Sequence, residues 1–205
     1  VMNELARRGY EGIGSDIKET YSGIQDGTAV VSMPYVQMDI TDEDSVRKVL
    51  ADAAPDVVVH CAAWTAVDLA EDEDKKEIVY AVNATGTKNI ADICKELDCK
   101  MVYLSTDYVF DGTAHIPYKE DCMPCPNSVY GFTKLGGEKE VMQNCEKAMV
   151  IRTAWLYSIY GNNFVKTMIR LGRERESLGV VFDQIGTPTY AKDLAVAIYA
   201  AINQG

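Results

Sequence analysis

No apolar run in this sequence approaches the roughly 20 residues that a membrane-spanning helix needs. Its opening residues, Val-Met-Asn-Glu-Leu-Ala-Arg-Arg-Gly, offer neither an apolar segment nor a small-residue cleavage site. No secretory leader is therefore expected, and a cytoplasmic location is. Basic residues are outnumbered: 20 Lys and Arg face 31 Asp and Glu, a formal net charge of −11. That argues against a nucleic-acid partner, because such binding rests on Lys and Arg neutralising phosphates. A single nucleotide, which needs only a few local donors, stays admissible. Histidine is scarce, with His60 and His115 alone. Cys122-x-x-Cys125 has half the spacing of a zinc or redox motif, but no second pair or nearby histidine completes it. The six cysteines are expected to be reduced thiols, with no metal site among them. Internal repeats, low-complexity tracts and flexible linkers are lacking as well.

What is present is an alternation. Short apolar runs rich in β-branched residues, at 35–38, 56–60, 101–105, 149–152 and 179–182, read as strands. Between and after them, 42–53, 75–97, 128–144, 164–175 and 191–202 have helical character, with Thr41 or Asp42 as N-cap of the first. Strands buried on both faces and separated by helices predict an α/β fold, a Rossmann-type doubly wound parallel sheet. At the front, Val1, Met2, Leu5 and Ala6 share a helical face that Gly9 terminates, and a strand at 11–15 ends at Asp16. A chain of this class begins with a strand and a glycine-rich phosphate loop, so these are expected to precede Val1. Asp16 then takes the place of the acidic residue about 20 positions after that loop, which bonds the adenosine ribose hydroxyls and favours NAD(H) over NADP(H). A turn residue at a strand end is the plainer reading of the same position.

Three positions suggest chemistry. Tyr130 and Lys134 are spaced i, i+4 on one helical face. Ser105 and Thr106 end a buried strand, where the carboxyl edge of an open sheet forms its binding crevice. Reducing a ketone by hydride needs a proton donor at the carbonyl oxygen, and a free tyrosine, with a pKa near 10, is a reluctant one. A nearby ammonium is expected to lower that pKa; a drop of about 3 units requires roughly 4 kcal/mol. The Thr106 hydroxyl would hold the substrate oxygen against the tyrosine.

Ser105-Thr106-Asp107-Tyr108-Val109-Phe110, followed by Tyr130-Gly-Phe-Thr-Lys134-Leu-Gly-Gly-Glu138, resembles the extended short-chain dehydrogenases, and within them the dTDP-4-dehydrorhamnose reductase family. Asp39-Ile40-Thr41-Asp42, Ala62-Ala63-Trp64-Thr65-Ala66-Val67-Asp68, Asn83-Ala84-Thr85, Arg152-Thr153-Ala154-Trp155-Leu156-Tyr157, Gly161-Asn162-Asn163-Phe164 and Asp183-Gln184-Ile185-Gly186-Thr187-Pro188 agree with it. The resemblance implies reduction of the 4-keto group of dTDP-4-dehydro-6-deoxy-L-mannose to dTDP-L-rhamnose by NADPH or NADH. It implies Thr106, Tyr130 and Lys134 as the catalytic trio, Lys134 also bonding the cofactor ribose. Asp39 and Ile40 would lie by the adenine, and Ala62, Ala63, Thr65, Asn83 and Ser105 along the dinucleotide. Tyr108, Val109, Trp155, Asn162, Asn163 and Gln184 would face the sugar nucleotide. Trp155 as core filler and Asn162 or Asn163 as caps of the helix at 164 are the plainer alternatives. Residues 1–153 are expected to form the dinucleotide-binding domain and 154–205 the start of a smaller substrate region that the family continues further. A homodimer is one option for assembly. Another nucleotide-sugar epimerase or dehydratase would use the same Tyr and Lys. A non-catalytic NAD(P)-binding subunit, like the β subunit of methionine adenosyltransferase, is the reading from a different class.

Overall fold

The computed structural model describes residues 1–20 and 33–203. The chain opens with helix α1 (Met2–Arg7), ended by Gly9 at φ +79, and strand β1 (Gly14–Asp16). Strand β2 (Tyr35–Gln37) pairs with β1, and Met38 N donates to Asp16 O at 2.9 Å. Two compact units follow from the packing: one contains 15–20 and 36–152, the other 1–14 and the chain from Thr153 onward.

In the larger unit, helix α2 (Glu43–Ala53) starts where expected. The Asp42 carboxylate accepts from Asp44 N at 3.0 Å and Ser45 N at 3.4 Å, satisfying two donors that the first turn leaves without helical partners. Strand β3 (Val57–His60) follows. The long helix expected at 75–97 is three pieces: α3 (Lys76–Tyr80), a π-helical turn at Ala81–Thr85, and α4 (Gly86–Glu96). The turn is held by its own polar groups, since Asn83 O accepts from Thr87 Oγ1 at 2.8 Å and Tyr103 Oη at 3.4 Å. Strand β4 (Lys100–Thr106) pairs parallel with β3, from Val57 opposite Lys100 to His60 opposite Tyr103. A 3₁₀ turn (Asp107–Val109), helix α5 (Val129–Asn144) and strand β5 (Ala148–Thr153) complete the unit, with sheet order β3-β4-β5. Val46, Leu50, Ile90, Ile93, Met101 and Val141 fill the core between these helices and the sheet. This is an α/β, Rossmann-like arrangement.

Helix α5 lies unusually close to its neighbours because glycine allows it. A Cβ on Gly131 would collide with the Tyr108 carbonyl, and one on Gly137 with the Tyr103 hydroxyl while sitting 2.5 Å from Asn83 O. Those two approaches fix α5 against the turn after β4 and against the π turn.

The smaller unit has strand β6 (Leu156–Tyr157), helix α6 (Phe164–Glu174), strand β7 (Thr189–Tyr190) and helix α7 (Ala191–Asn203). Strands β6 and β7 pair parallel. Helices α1 and α7 are joined by Tyr10 Oη donating to Asn203 Oδ1 at 2.8 Å and by the Arg8 guanidinium 3.8 Å over the Tyr199 ring. The strand expected at 179–182 is not one: Val180, Val181 and Phe182 are exposed, and no sheet among the described residues includes them. Their β-branched and aromatic composition suits a strand, but without a pairing edge that preference fixes nothing. The strand expected at 11–15 lies at Gly14–Asp16 instead. Among the described residues, no helix is long and apolar enough to cross a membrane.

The close seating of α5 makes Gly137→Ala destabilising, by about 1–3 kcal/mol for an overpacked site. Gly172→Ala, inside α6 with nothing within 4 Å of the new Cβ, should instead stabilise by about 0.5–1 kcal/mol. Thermal melts should order Gly172→Ala above wild type and Gly137→Ala below it; the reverse order contradicts the packing.

Candidate active site

Strand β4 ends at Thr106, and helix α5 carries Tyr130 and Lys134 past that end. The start of α5 is fixed by Ser128 Oγ, which accepts from Gly131 N at 3.1 Å, and by Glu71 Oε1, which accepts from Val129 N at 2.8 Å. Tyr130 is buried among Ala70, Val79, Trp64 and Val67, and the Tyr108 ring meets it edge-on, centroids 5.5 Å apart. Its phenol lies close enough to the Thr106 hydroxyl to be influenced by it. The structure thus brings Thr106 and Tyr130 together.

Lys134 is 2% exposed. Its ammonium donates to Leu104 O at 2.8 Å, one residue past the last β3 partner of β4, and lies 4.1 Å over the Tyr103 ring. Burial lowers Lys134 to about 8, while the Glu138 carboxylate pulls the other way and helps keep the proton on. Glu138, one further turn along the same face, is itself buried. It is held by Arg152 of β5 in a two-pronged pair, Nε to Oε1 at 2.9 Å and Nη2 to Oε2 at 2.7 Å. The resemblance implies no role for Glu138; its i+4 spacing from Lys134 is the signal in the sequence that points to it.

For Tyr130 the expected influence of Lys134 is corrected. Burial raises the phenol above its ordinary value; the Thr106 hydroxyl works downward, and Asp107 and Tyr108 push upward. The ammonium faces Leu104 O and the Tyr103 ring, so desolvation decides the direction for the phenol. His60 is buried and bonded through Nε2 to Thr87 Oγ1 at 3.0 Å. Burial, then Lys134, lower it to about 3, so it is neutral at physiological pH.

The expected cofactor residues fall into two groups. Ala62 and Thr65 are exposed and Ala63 half-buried in the loop after β3, at the carboxyl edge of the sheet. That loop is pinned by Asn83, whose Oδ1 accepts from Trp64 N at 2.8 Å and whose Nδ2 donates to Trp64 O at 3.3 Å and Thr133 Oγ1 at 3.1 Å. With 0% of its surface exposed, Asn83 positions the loop and is corrected as a direct cofactor contact. Ser105 is buried in β4. Asp39 caps its own turn, Oδ1 accepting from Thr41 N at 2.9 Å and Thr41 Oγ1 at 2.7 Å. Ile40 O accepts from Asn89 Nδ2 at 2.9 Å. Asp16 is exposed at the end of β1, its Oδ1 accepting from Lys18 N at 3.4 Å.

Among the expected sugar contacts, Tyr108 is 41% exposed. Val109 has no exposed surface, and its carbonyl accepts from Cys125 N at 2.9 Å; it is corrected to a core residue. In the smaller unit, Asn163 caps α6: Oδ1 accepts from Lys166 N at 3.1 Å and Nδ2 donates to Ser158 O at 2.7 Å. Asn162 and Gln184 are exposed. Trp155 has φ +49, a left-handed conformation that costs a bulky residue about 1–3 kcal/mol. Its indole stacks edge-on with Phe164 at 5.1 Å and covers Gly186, where a Cβ would lie 2.5 Å from Nε1. Trp155 is held over the Asp-Gln-Ile-Gly segment rather than buried as core filler.

Comparison with known proteins gives concordant matches. The family model described as "RmlD substrate binding domain" matches residues 8–205. The chain is 45% identical over 170 residues to a dTDP-4-dehydrorhamnose reductase of Streptomyces griseus, covering 82% of this chain and 55% of that protein. It is 39% identical over 194 residues to a dTDP-4-keto-6-deoxy-D-glucose reductase of Streptomyces niveus, covering 94% of this chain and 66% of that one. Among solved structures, a Bacillus anthracis dTDP-4-dehydrorhamnose reductase in complex with NADP superposes with TM-score 0.79 at 44% identity, over 84% of this chain and 62% of that one. The chain thus spans between about half and two thirds of the lengths of these proteins.

The Glu138–Arg152 pair offers a structural test of the site. Glu138→Gln leaves a partly buried guanidinium without its counter-charge and should cost about 3 kcal/mol. Glu138→Met with Arg152→Met together should cost less than the sum of the single changes, measured by denaturant unfolding. Additive losses would contradict the pairing.

Proposed function

This chain belongs to the RmlD substrate binding domain family, and on that premise we propose that the full-length protein reduces the 4-keto group of a dTDP-4-keto-6-deoxyhexose. The product proposed is dTDP-L-rhamnose, formed from dTDP-4-dehydro-6-deoxy-L-mannose, with NADPH or NADH as reductant, in the cytoplasm. The observation that carries the reading is the placement of Tyr130 near Thr106, with Lys134 of the same helix anchored on Leu104 O, where β4 ends. An epimerase, a dehydratase or a non-catalytic subunit could keep the Tyr and Lys. The names of the S. griseus and S. niveus relatives, both 4-keto reductases, favour reduction.

The residues fit a nicotinamide cofactor. The exposed loop of Ala62, Ala63 and Thr65 lies at the sheet's carboxyl edge, where dinucleotides bind open α/β sheets. Lys134 has three ammonium donors and gives one to Leu104 O, so it can also hold a ribose hydroxyl. When bound, the reduced nicotinamide supplies the hydride for the carbonyl carbon. Tyr130 delivers its proton to the carbonyl oxygen. Its raised pKa keeps that proton on through the physiological range, so the donor is loaded before substrate arrives. Thr106 fixes the direction of the phenol, and the Lys134 cation favours the negative charge that develops on the oxygens as the proton leaves. Tyr108 forms an aromatic wall beside Tyr130.

Tyr130→Phe removes one hydroxyl and little volume. In full-length protein it should lower kcat by about 10²–10⁴-fold while cofactor affinity changes little. Wild-type turnover by that variant would overturn the assignment. Lys134 must be a cation and is held at about 8, so kcat should fall as pH rises through that value. A rate unchanged from pH 7 to 10 would contradict the role given to Lys134.

A further inference from the structure

Gly186, in the smaller unit, is a glycine for space rather than for backbone freedom. Its φ is not positive, unlike that of Gly161 at +62, so its backbone does not bar an L side chain. What bars one is Trp155. A Cβ at position 186 would stand 2.5 Å from the indole Nε1, 3.0 Å from Cδ1 and 3.2 Å from Cε2. Non-bonded carbon atoms rest at roughly 3.5–4.0 Å, so the indole packs on bare backbone that no other residue supplies. The same segment grips Trp155 a second time, since Thr189 N donates to its carbonyl at 3.2 Å. Phe164 meets the ring edge-on, centroids 5.1 Å apart and planes at 73°. Side chain and main chain are thus both fixed, and the main chain is fixed at φ +49, where a bulky residue stays only under constraint. All this holds a ring that is not buried: Trp155 keeps 37% of its surface exposed.

We propose that Gly186 is a positioning residue: by lacking a side chain it seats the Trp155 indole, which presents a preset apolar face to the 6-deoxyhexose of a sugar nucleotide. The ligand rests on the reductase reading; the seating of the ring does not. Strained residues persist where the surrounding structure over-determines them, and ligand clamps are such places. An indole suits this ligand because its flat face can cover the C–H groups and methyl of a deoxy sugar. A ring fixed beforehand also spares binding the cost of ordering a free side chain. Three holds serve that end here: Phe164 on one side, the Thr189 bond on the main chain, and the bare backbone of Gly186 under the pyrrole edge. Of the three, only the last is abolished by adding one methyl group.

The test uses full-length protein and two readouts. Iodide quenching of tryptophan fluorescence follows the ring, with Trp155 isolated by subtracting the signal of Trp155→Phe. Gly186→Ala should push the indole off its seat, raising its quenching and moving its emission to the red. Calorimetric titration with dTDP-L-rhamnose follows the ligand. Gly186→Ala should weaken that binding about tenfold, the size of one good aromatic contact, and Trp155→Ala at least as much. The double variant should bind no more weakly than Trp155→Ala alone, because Gly186 acts only through the ring. Unchanged quenching in Gly186→Ala, or losses that multiply in the double variant, overturns the proposal. Should Gly186→Ala fail to fold by circular dichroism, the double variant decides: folding restored by removal of the indole supports the seat, and a double variant that also fails overturns it. Wild-type protein that binds no dTDP-L-rhamnose would sink the reductase reading and the ligand with it, while quenching still decides whether Gly186 seats the ring.

Discussion

A lysine ammonium buried between a helix and a sheet must find compensation or lose its proton. In this protein the compensation comes from three sides. The Leu104 carbonyl accepts from the ammonium, the Tyr103 ring presents its face, and Glu138 supplies an opposite charge along α5. Each partner needs the rest of the unit to be where it is. Leu104 O is available because β4 runs past the last residue paired with β3. Tyr103 and α5 can approach because position 137 has no side chain. Glu138 can be buried because Arg152 reaches it from β5. Two strands, one helix and one glycine therefore converge on a single charge.

The same burial acts oppositely on the two titratable members of the trio. It lowers Lys134 and raises Tyr130, because each is pushed toward its neutral form. A loaded phenol suits a group that must hold a proton until a carbonyl oxygen takes it. The π turn contributes from the far side. By adding a residue to the helix it turns Asn83 inward, where one amide ties the β3 loop to α5 through Trp64 and Thr133. Site geometry is thus set by a buried polar framework whose members, His60, Thr87, Asn83 and Tyr103, touch one another more than they touch solvent.

Local features of the sequence were legible where local forces decide. Asp42 caps α2 because a carboxylate beside free N–H groups needs nothing distant. Tyr130 and Lys134 share a face because four residues make about one helical turn. Thr106 was readable as a strand end from the buried run before it. Features that depend on contacts between distant segments were not. The π turn left the apolar pattern of 75–97 undisturbed, so one helix was expected where there are three pieces. Residues 179–182 had strand composition but no partner, whereas β6 and β7, two residues each, were too short to show a pattern. The resemblance implies ligand roles for Asn83, Asn163 and Val109, while the hydrogen bonds of the first two and the burial of Asn83 and Val109 depend on contacts that spacing does not show. The direction of the Tyr130 shift was missed because spacing says that Lys134 is near, not where its ammonium points.

The central claim, hydride delivery to the sugar with Tyr130 supplying the proton, has a direct measurement. Full-length protein is incubated with the dTDP-4-keto-6-deoxy sugar and nicotinamide cofactor deuterated at the transferable position, and the product sugar is read by NMR. The account predicts deuterium at C4 of the sugar and a new hydroxyl there. Cofactor that binds but leaves no deuterium in the sugar, or a sugar inverted without net reduction, would contradict it.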